Sequence, residues 1–234
     1  MVGVRVAVIA CDVLKDEVMY TASSFSGVWA DVFWLEHMVH DRPSLLREKV
    51  QRYIDMLSAY DCTVLAAGRC SNGSLGVRAG SVPLVFPAVD DCVAILLGSR
   101  YAYEQEMQRE PGTYYLTRSW IRSGDNPMRV YRRYRSKYGS DTALWVAREL
   151  VKNYKRVVLI DTGAYPVGCC RRYAKAVARF MGARYEEKKS SLELLRRLFA
   201  VASGTEGAPD VCRLEPGEVI SEVHFTGAEG PVGC

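Results

Sequence analysis

Val4–Ala10 reads Val-Arg-Val-Ala-Val-Ile-Ala, an apolar, β-branched run too short for a helix and without the alternation of a half-wet strand. Such a run suits a strand covered on both faces, the mark of a parallel sheet with helices packed on each side. Further runs repeat the pattern at Asp31–Leu35, Cys62–Ala67, Val82–Phe86 and Arg156–Ile160. Between the second and third, Pro43 suits the first turn of a helix, and Leu45, Leu46, Val50, Tyr53, Ile54 and Leu57 recur at helical spacing to about Tyr60. Strand, loop and helix alternate, which predicts an α/β fold: one mostly parallel, Rossmann-like sheet of these five strands flanked by helices.

The middle of the chain changes character. Gly112–Ser119 reads as an outlying strand or hairpin arm. Helices are expected at Pro127–Tyr138, Asp141–Tyr154, Arg171–Met181 and Ser191–Ala202, with short strands at Ala183–Tyr185 and Val211–Leu214. The expected division is a single α/β domain over 1–226, with lobes 1–110 and 111–226 around one cleft, and a Gly-rich flexible tail over 227–234. Of the 234 residues, 49% are apolar and 25% charged, and the net charge is +4. That balance leaves room for an anionic small-molecule substrate but lacks the dense basic face of a nucleic-acid binder. The run Arg129–Arg135 is basic and aromatic, and without a binding motif around it reads as a solvated helix face. No signal peptide and no membrane-spanning stretch are recognisable, so a cytoplasmic protein with no membrane partner is expected. Cysteines in that compartment are reduced ligands or core thiols; in a hyperthermophile, Cys62, Cys169, Cys170, Cys212 and Cys234 are the candidates for disulfides.

Cys11, Cys70 and Cys92 each stand just past a predicted strand. In a parallel sheet those carboxyl ends gather at one edge, where ligands bind. Three thiols there suit a 4Fe–4S cluster with one iron left open; with His40 as fourth ligand they suit zinc. Cys92 opens a predicted helix, a place that favours the thiolate. The reading that competes is that buried cysteine is a common small hydrophobe. Around Cys70, Gly68–Gly76 is a glycine-rich loop, and Gly68, Asn72 and Gly73 are the candidates to wrap a cofactor or merely to make a tight turn. It carries neither a Walker nor a dinucleotide fingerprint.

In the second half, Asp161-Thr162-Gly163 follows a core strand and Arg171 follows shortly after. They are candidates for substrate contacts if they face the cysteines, and otherwise loop caps. Cys169-Cys170-Arg171-Arg172 opens a helix and could help hold an anion, although adjacent cysteines diverge and make a poor ligand pair. Asp90 and Asp91 suit caps of the helix that follows. His37 and His224 have no partner pattern.

Several segments in order resemble the domain-of-unknown-function 1638 family: VIAC at the start, VHDRPSLLREKVQ, GRCSNGSLGVRAG, VPLVFPAVDDCVAILLGSR, EPGTYYLTRSW, VVLIDTG and LEPGEVI. The resemblance implies that Cys11, Cys70 and Cys92 are the functional residues. It also implies a loop pattern of Gly-x-Cys-Gly-Asn-Gly, in which Ser71 stands where a glycine is expected. It points further to anaerobic metabolism and a corrinoid methyl-transfer partner protein. The function expected is an iron–sulfur enzyme acting on a small substrate, sulfur-containing or anionic. The alternatives are a zinc-thiolate methyl-transfer enzyme or accessory, and a non-catalytic cofactor-binding module. The oligomeric state is not legible.

Overall fold

The computed structural model describes residues 3–26, 28–36, 42–123, 126–205 and 207–226. The chain forms two units, the first comprising Met1–Tyr103 with Ser191–Cys234 and the second Glu104–Ser190. The C-terminal segment thus returns to the first unit, where the sequence reading placed a linear boundary near residue 110.

The first unit is built on a five-stranded sheet in the order β2-β1-β3-β4-β8. Its strands are β1 (Val4–Cys11), β2 (Val28–Leu35), β3 (Cys62–Ala66), β4 (Leu84–Pro87) and β8 (Val211–Leu214). β1 pairs in parallel with both β2 and β3, β3 in parallel with β4, and β8 closes the edge antiparallel to β4. Side chains alternate between faces. Ala7 and Ile9 of β1 join Leu65, Leu84 and Phe86 in one core with Leu46, Val50 and Ile54 of α2 (Pro43–Met56). Val6, Val8 and Ala10 are equally buried. They point the other way, the side taken by α1 (Lys15–Ser24) and α9 (Glu193–Ala202), which pack on each other and on the sheet. Both faces are dry, as the uninterrupted apolar runs require. α3 (Cys92–Leu97) and α4 (Arg100–Arg109) follow β4.

The second unit holds a parallel sheet β5-β6-β7, with β5 at Thr113–Leu116, β6 at Arg156–Asp161 and β7 at Arg184–Lys189. The Arg156–Ile160 run was expected in the main sheet; it is the centre of this second one instead. β5 is its parallel neighbour and not a hairpin arm. Between the strands run α5 (Arg118–Ser123), α6 (Pro127–Tyr138), α7 (Ser140–Glu149) and α8 (Gly168–Met181). Among the described residues no helix is long and apolar enough to cross a membrane.

A charge stands at the base of this second sheet. The Arg156 side chain is 1% exposed and donates to Thr113 Oγ1 (2.9 Å), Glu106 Oε2 (2.8 Å) and Glu186 Oε2 (3.0 Å). Lys188 reaches Glu106 Oε1 at 3.0 Å. Burial opposes the charge on Glu106, but Lys188 and Arg156 outweigh it and hold the carboxyl below its ordinary range. The network ties α4, β5, β6 and β7 together. Removing one partner strands the others in low dielectric, so Arg156→Ala is expected to cost about 3–5 kcal/mol in urea denaturation. Arg156→Met with Glu106→Leu should recover much of that loss, since no buried carboxylate is then left alone at Glu106.

Cys62 opens β3 with 2% of its surface exposed, donating toward Pro83 O at 3.5 Å. Burial pushes its thiol up from the ordinary 9.0 to about 11. The folded chain keeps this proton after the unfolded chain has lost it. Stability attached to the thiol is therefore full below pH 9 and lost as pH rises from 9 to 11. Cys62→Val should flatten the alkaline slope by on the order of 2–3 kcal/mol over that interval, as read from denaturation curves.

Candidate three-cysteine centre

The strand order fixes where a ligand would sit. The chain leaves β1 for β2 on one side, then enters β3 on the other side of β1 and proceeds to β4. β1 and β3 therefore flank the point where the winding reverses, and the crevice outside their carboxyl ends is the binding position of open α/β sheets. Cys11 is the last residue of β1. Cys70 follows β3 by a short loop, and Cys92 begins α3 just after β4.

The loops after β3 and β4 are bonded to each other. Arg69 N–H donates to Val89 O and Cys70 N–H to Asp90 O, each at 2.8 Å, so the ladder between the two strands continues past their ends. Gly68 permits this approach. A Cβ there would stand 2.6 Å from the Asp91 Cα and 2.7 Å from its nitrogen, a clash with backbone that cannot move aside. The result places Cys70 beside Cys92.

The neighbouring thiols of Cys11 and Cys70, together with burial, push the Cys92 thiol well above the ordinary thiol value. Cys11, 9% exposed, moves the opposite way: accepting from Cys92 lowers it, against burial, with backbone support from Val13 and Asp12. The helix start was expected to make Cys92 the thiolate; the direction is reversed. α3 is only six residues long, and the Asp91 carboxylate already takes its first free N–H groups, Val93 at 2.8 Å and Ala94 at 3.3 Å. Of Cys11 and Cys92, Cys11 is the one whose thiolate the surroundings favour. All seven described cysteines are free thiols. Among the described residues no three His, Cys, Asp or Glu side chains form a group that could hold a metal ion as they stand.

Cys70, Ser71 and Asn72 are left-handed, with φ of 48°, 53° and 70°. Three such residues in succession without a glycine cost about 1–2 kcal/mol each, and strain of this kind persists where surroundings over-determine it. The surroundings here are clear. Arg69 Nε donates to Asn72 Oδ1 and its Nη2 to Glu222 Oε1, both at 2.6 Å, while Arg47 Nη2 donates to Asn72 O at 3.3 Å. The C-terminal segment straps the rest of the loop, with Gly76 N–H on Ile220 O, Ile220 N–H on Val77 O and Ala79 N–H on Glu218 O, each at 2.8 Å. The sequence singled out Asn72 but not Arg69, although an arginine three residues before an asparagine on a strand-end loop carries that signal.

The remaining candidates have local explanations. Gly68 and Gly73 take no left-handed φ. Gly68 serves the contact with Asp91, and a Cβ on Gly73 would meet Leu46 Cδ2 at 2.5 Å. His40 and His37 lie outside the described residues. His224 accepts from Ser221 N–H at 3.0 Å and packs edge-on to Phe86. Asp161, Thr162, Gly163 and Arg171 belong to the second unit. Asp161 Oδ1 caps Gly163 N–H at 3.2 Å, Thr162 Oγ1 faces Ala164 N–H at 3.5 Å, and Arg171 Nε donates to both carboxylate oxygens of Glu187 at 2.9 Å.

Comparison with known families gives one match. A family model described as a protein of unknown function (DUF1638) covers residues 34–199, a span that contains Cys70 and Cys92 and begins after Cys11. No curated protein and no solved structure matches the chain.

Ser71 offers a direct check on the strained loop. It is exposed, and its φ of 53° is one that glycine adopts freely. Ser71→Gly is expected to raise stability by about 1 kcal/mol in urea denaturation without moving the thiols. Ser71→Val, β-branched at positive φ, should lower it by at least as much.

Proposed function

We propose that this chain, which belongs to the DUF1638 family of proteins of unknown function, carries a thiophilic metal centre on Cys11, Cys70 and Cys92. The observation that carries the reading is the placement of all three cysteines at the carboxyl ends of β1, β3 and β4, at the switch point of the sheet, with Cys11 and Cys70 near enough to Cys92 to push its thiol up. Soft thiolates select iron–sulfur clusters or zinc over hard cations. Of the two, a 4Fe–4S cluster is the leading reading, because three protein thiolates leave one iron free. Such a centre supplies Lewis acidity, or electron transfer, toward a small substrate.

The chain's own residues have defined tasks in this reading. Cys11 is the first thiol to ionise, since the neighbouring Cys92 thiol lowers it. Binding then releases the proton held by Cys92. The Gly68–Asp91 contact keeps the two loops at fixed separation, and Arg69 holds the left-handed run so that Cys70 does not swing away. A zinc centre is the second reading, since three thiolates completed by one further ligand also suit a tetrahedral ion. A zinc-thiolate of that kind suits methyl transfer to or from a corrinoid partner.

Metal analysis of anaerobically purified protein tests both. Iron with acid-labile sulfide and visible charge-transfer absorption is expected; one zinc in a colourless protein selects the second reading. Cys70→Ser should lose the metal and Cys234→Ser keep it. Protein that carries neither metal after reconstitution, or a Cys70→Ser variant that keeps its full complement, would remove the proposal.

A further inference from the structure

The second unit contains a cavity of about 500 Å³ whose lining includes Arg118 and Arg122 of α5, Arg172 and Tyr173 of α8, and the thiols of Cys169 and Cys170. Arg118 and Arg122 are four residues apart on α5 and so share a face. The Arg118 guanidinium is stacked 4.7 Å from the Tyr165 ring centroid, and the Tyr165 hydroxyl accepts from the Arg118 backbone N–H at 3.0 Å. Arg172 comes from the opposite helix. No Asp or Glu lines the cavity among the described residues. The neighbouring Arg171 is instead neutralised by Glu187. Among the described residues neither Arg122 nor Arg172 has a carboxylate partner. The guanidiniums of Arg122 and Arg172, set on two helices around one opening, repel each other and focus a positive potential on it.

The two thiols are different. Cys169 is exposed, with its Sγ 3.0 Å from Pro166 O and 3.5 Å from the Cys170 Sγ. Cys170 is 4% exposed, and burial with the neighbouring thiol pushes it up to about 12 despite Arg118 and Arg122. Cys170 therefore stays a neutral, buried thiol, and Cys169 is the one a reagent in solution reaches.

We propose that this cavity is a binding site for a small oxyanion of two or more negative charges, an organic phosphate or polycarboxylate, gripped by Arg118, Arg122 and Arg172 with Cys169 at its edge. Guanidiniums match phosphate and carboxylate oxygens in bidentate geometry. The cavity volume holds a molecule of metabolite size. The site stands on the second unit alone and does not depend on the three-cysteine centre.

Cys169 reports on the site in the full-length protein. Its alkylation by anionic iodoacetate and by neutral iodoacetamide is followed by mass spectrometry of the Cys169–Cys170 peptide under reducing, anaerobic conditions. The iodoacetate-to-iodoacetamide rate ratio at Cys169 should fall about tenfold in the Arg122→Gln/Arg172→Gln variant. Both arginines are exposed, so the variant should fold, and circular dichroism confirms it. Pyrophosphate should slow iodoacetate at Cys169 severalfold, and chloride at equal ionic strength should not. Arg171→Gln, which removes the same kind of charge outside the cavity, should leave the ratio unchanged. An equal ratio in wild type and double variant overturns the proposal. So does an Arg171→Gln effect of the same size, or protection by chloride that matches pyrophosphate.

Discussion

The contact between Gly68 and the backbone of Asp91 governs the candidate site. Parallel strands alone bring their carboxyl ends to the same edge but leave the loops beyond them free to diverge. Here the absence of a side chain at Gly68 lets the loop after β3 lie against the turn after β4, and the bonds from Arg69 and Cys70 to Val89 and Asp90 then follow. Cys70 is thereby fixed against Cys92, and Cys11 is already there because β1 is the neighbour of β3. The left-handed run at Cys70–Asn72 is the conformational cost of turning the chain back sharply after that contact. Arg69, Arg47 and the C-terminal strap meet the cost with hydrogen bonds that a free loop would not make.

How protons are shared among the thiols follows from the same packing. A cysteine at a helix start in water tends toward thiolate. Cys92 departs from that tendency because the Cys11 and Cys70 thiols stand beside it and because it is buried, while Asp91 has already taken the first amide groups of its short helix. Asp91 is itself raised by burial, and the Tyr103 hydroxyl donates to it at 3.2 Å. The pair Asp91–Cys92 thus divides its labour: the carboxylate caps the start of the helix, and the thiol is left to its two sulfur neighbours. The cap at Asp91 was legible in the sequence, but its consequence for the neighbouring thiol was not.

Much of the frame was legible because parallel strands are written without interruption: Val4–Ala10, Cys62–Ala67 and the return strand at Val211–Leu214 all lie where periodicity put them. What escaped is instructive. α1 carries a weak stripe, with Glu17 and Thr21 among its buried positions, so its apolar pattern does not stand out. β6 looked like a strand of the main sheet because burial on both faces reads the same in either sheet; only the pairing partners β5 and β7 distinguish them. Arg156 is buried although it is charged, because Glu106 and Glu186 meet it from positions 50 and 30 residues away in the chain. Pair interactions at that separation leave no local trace.

The matched family span also marks a physical boundary. Residues 34–199 include β3, β4 and the loops that carry Cys70 and Cys92, but not β1, which supplies Cys11, and not the strap formed by Glu218, Ile220 and Glu222. β1 lies between β2 and β3, pairs with both, and is what joins β2 to the rest of the sheet. Without it the sheet would lose its centre and expose Leu35 and Leu65 to water. The strap is equally required, since it is what holds the left-handed loop. The unit is therefore a cooperative assembly of three sequence regions. The centre proposed for it belongs to that assembly and not to any single motif within the span.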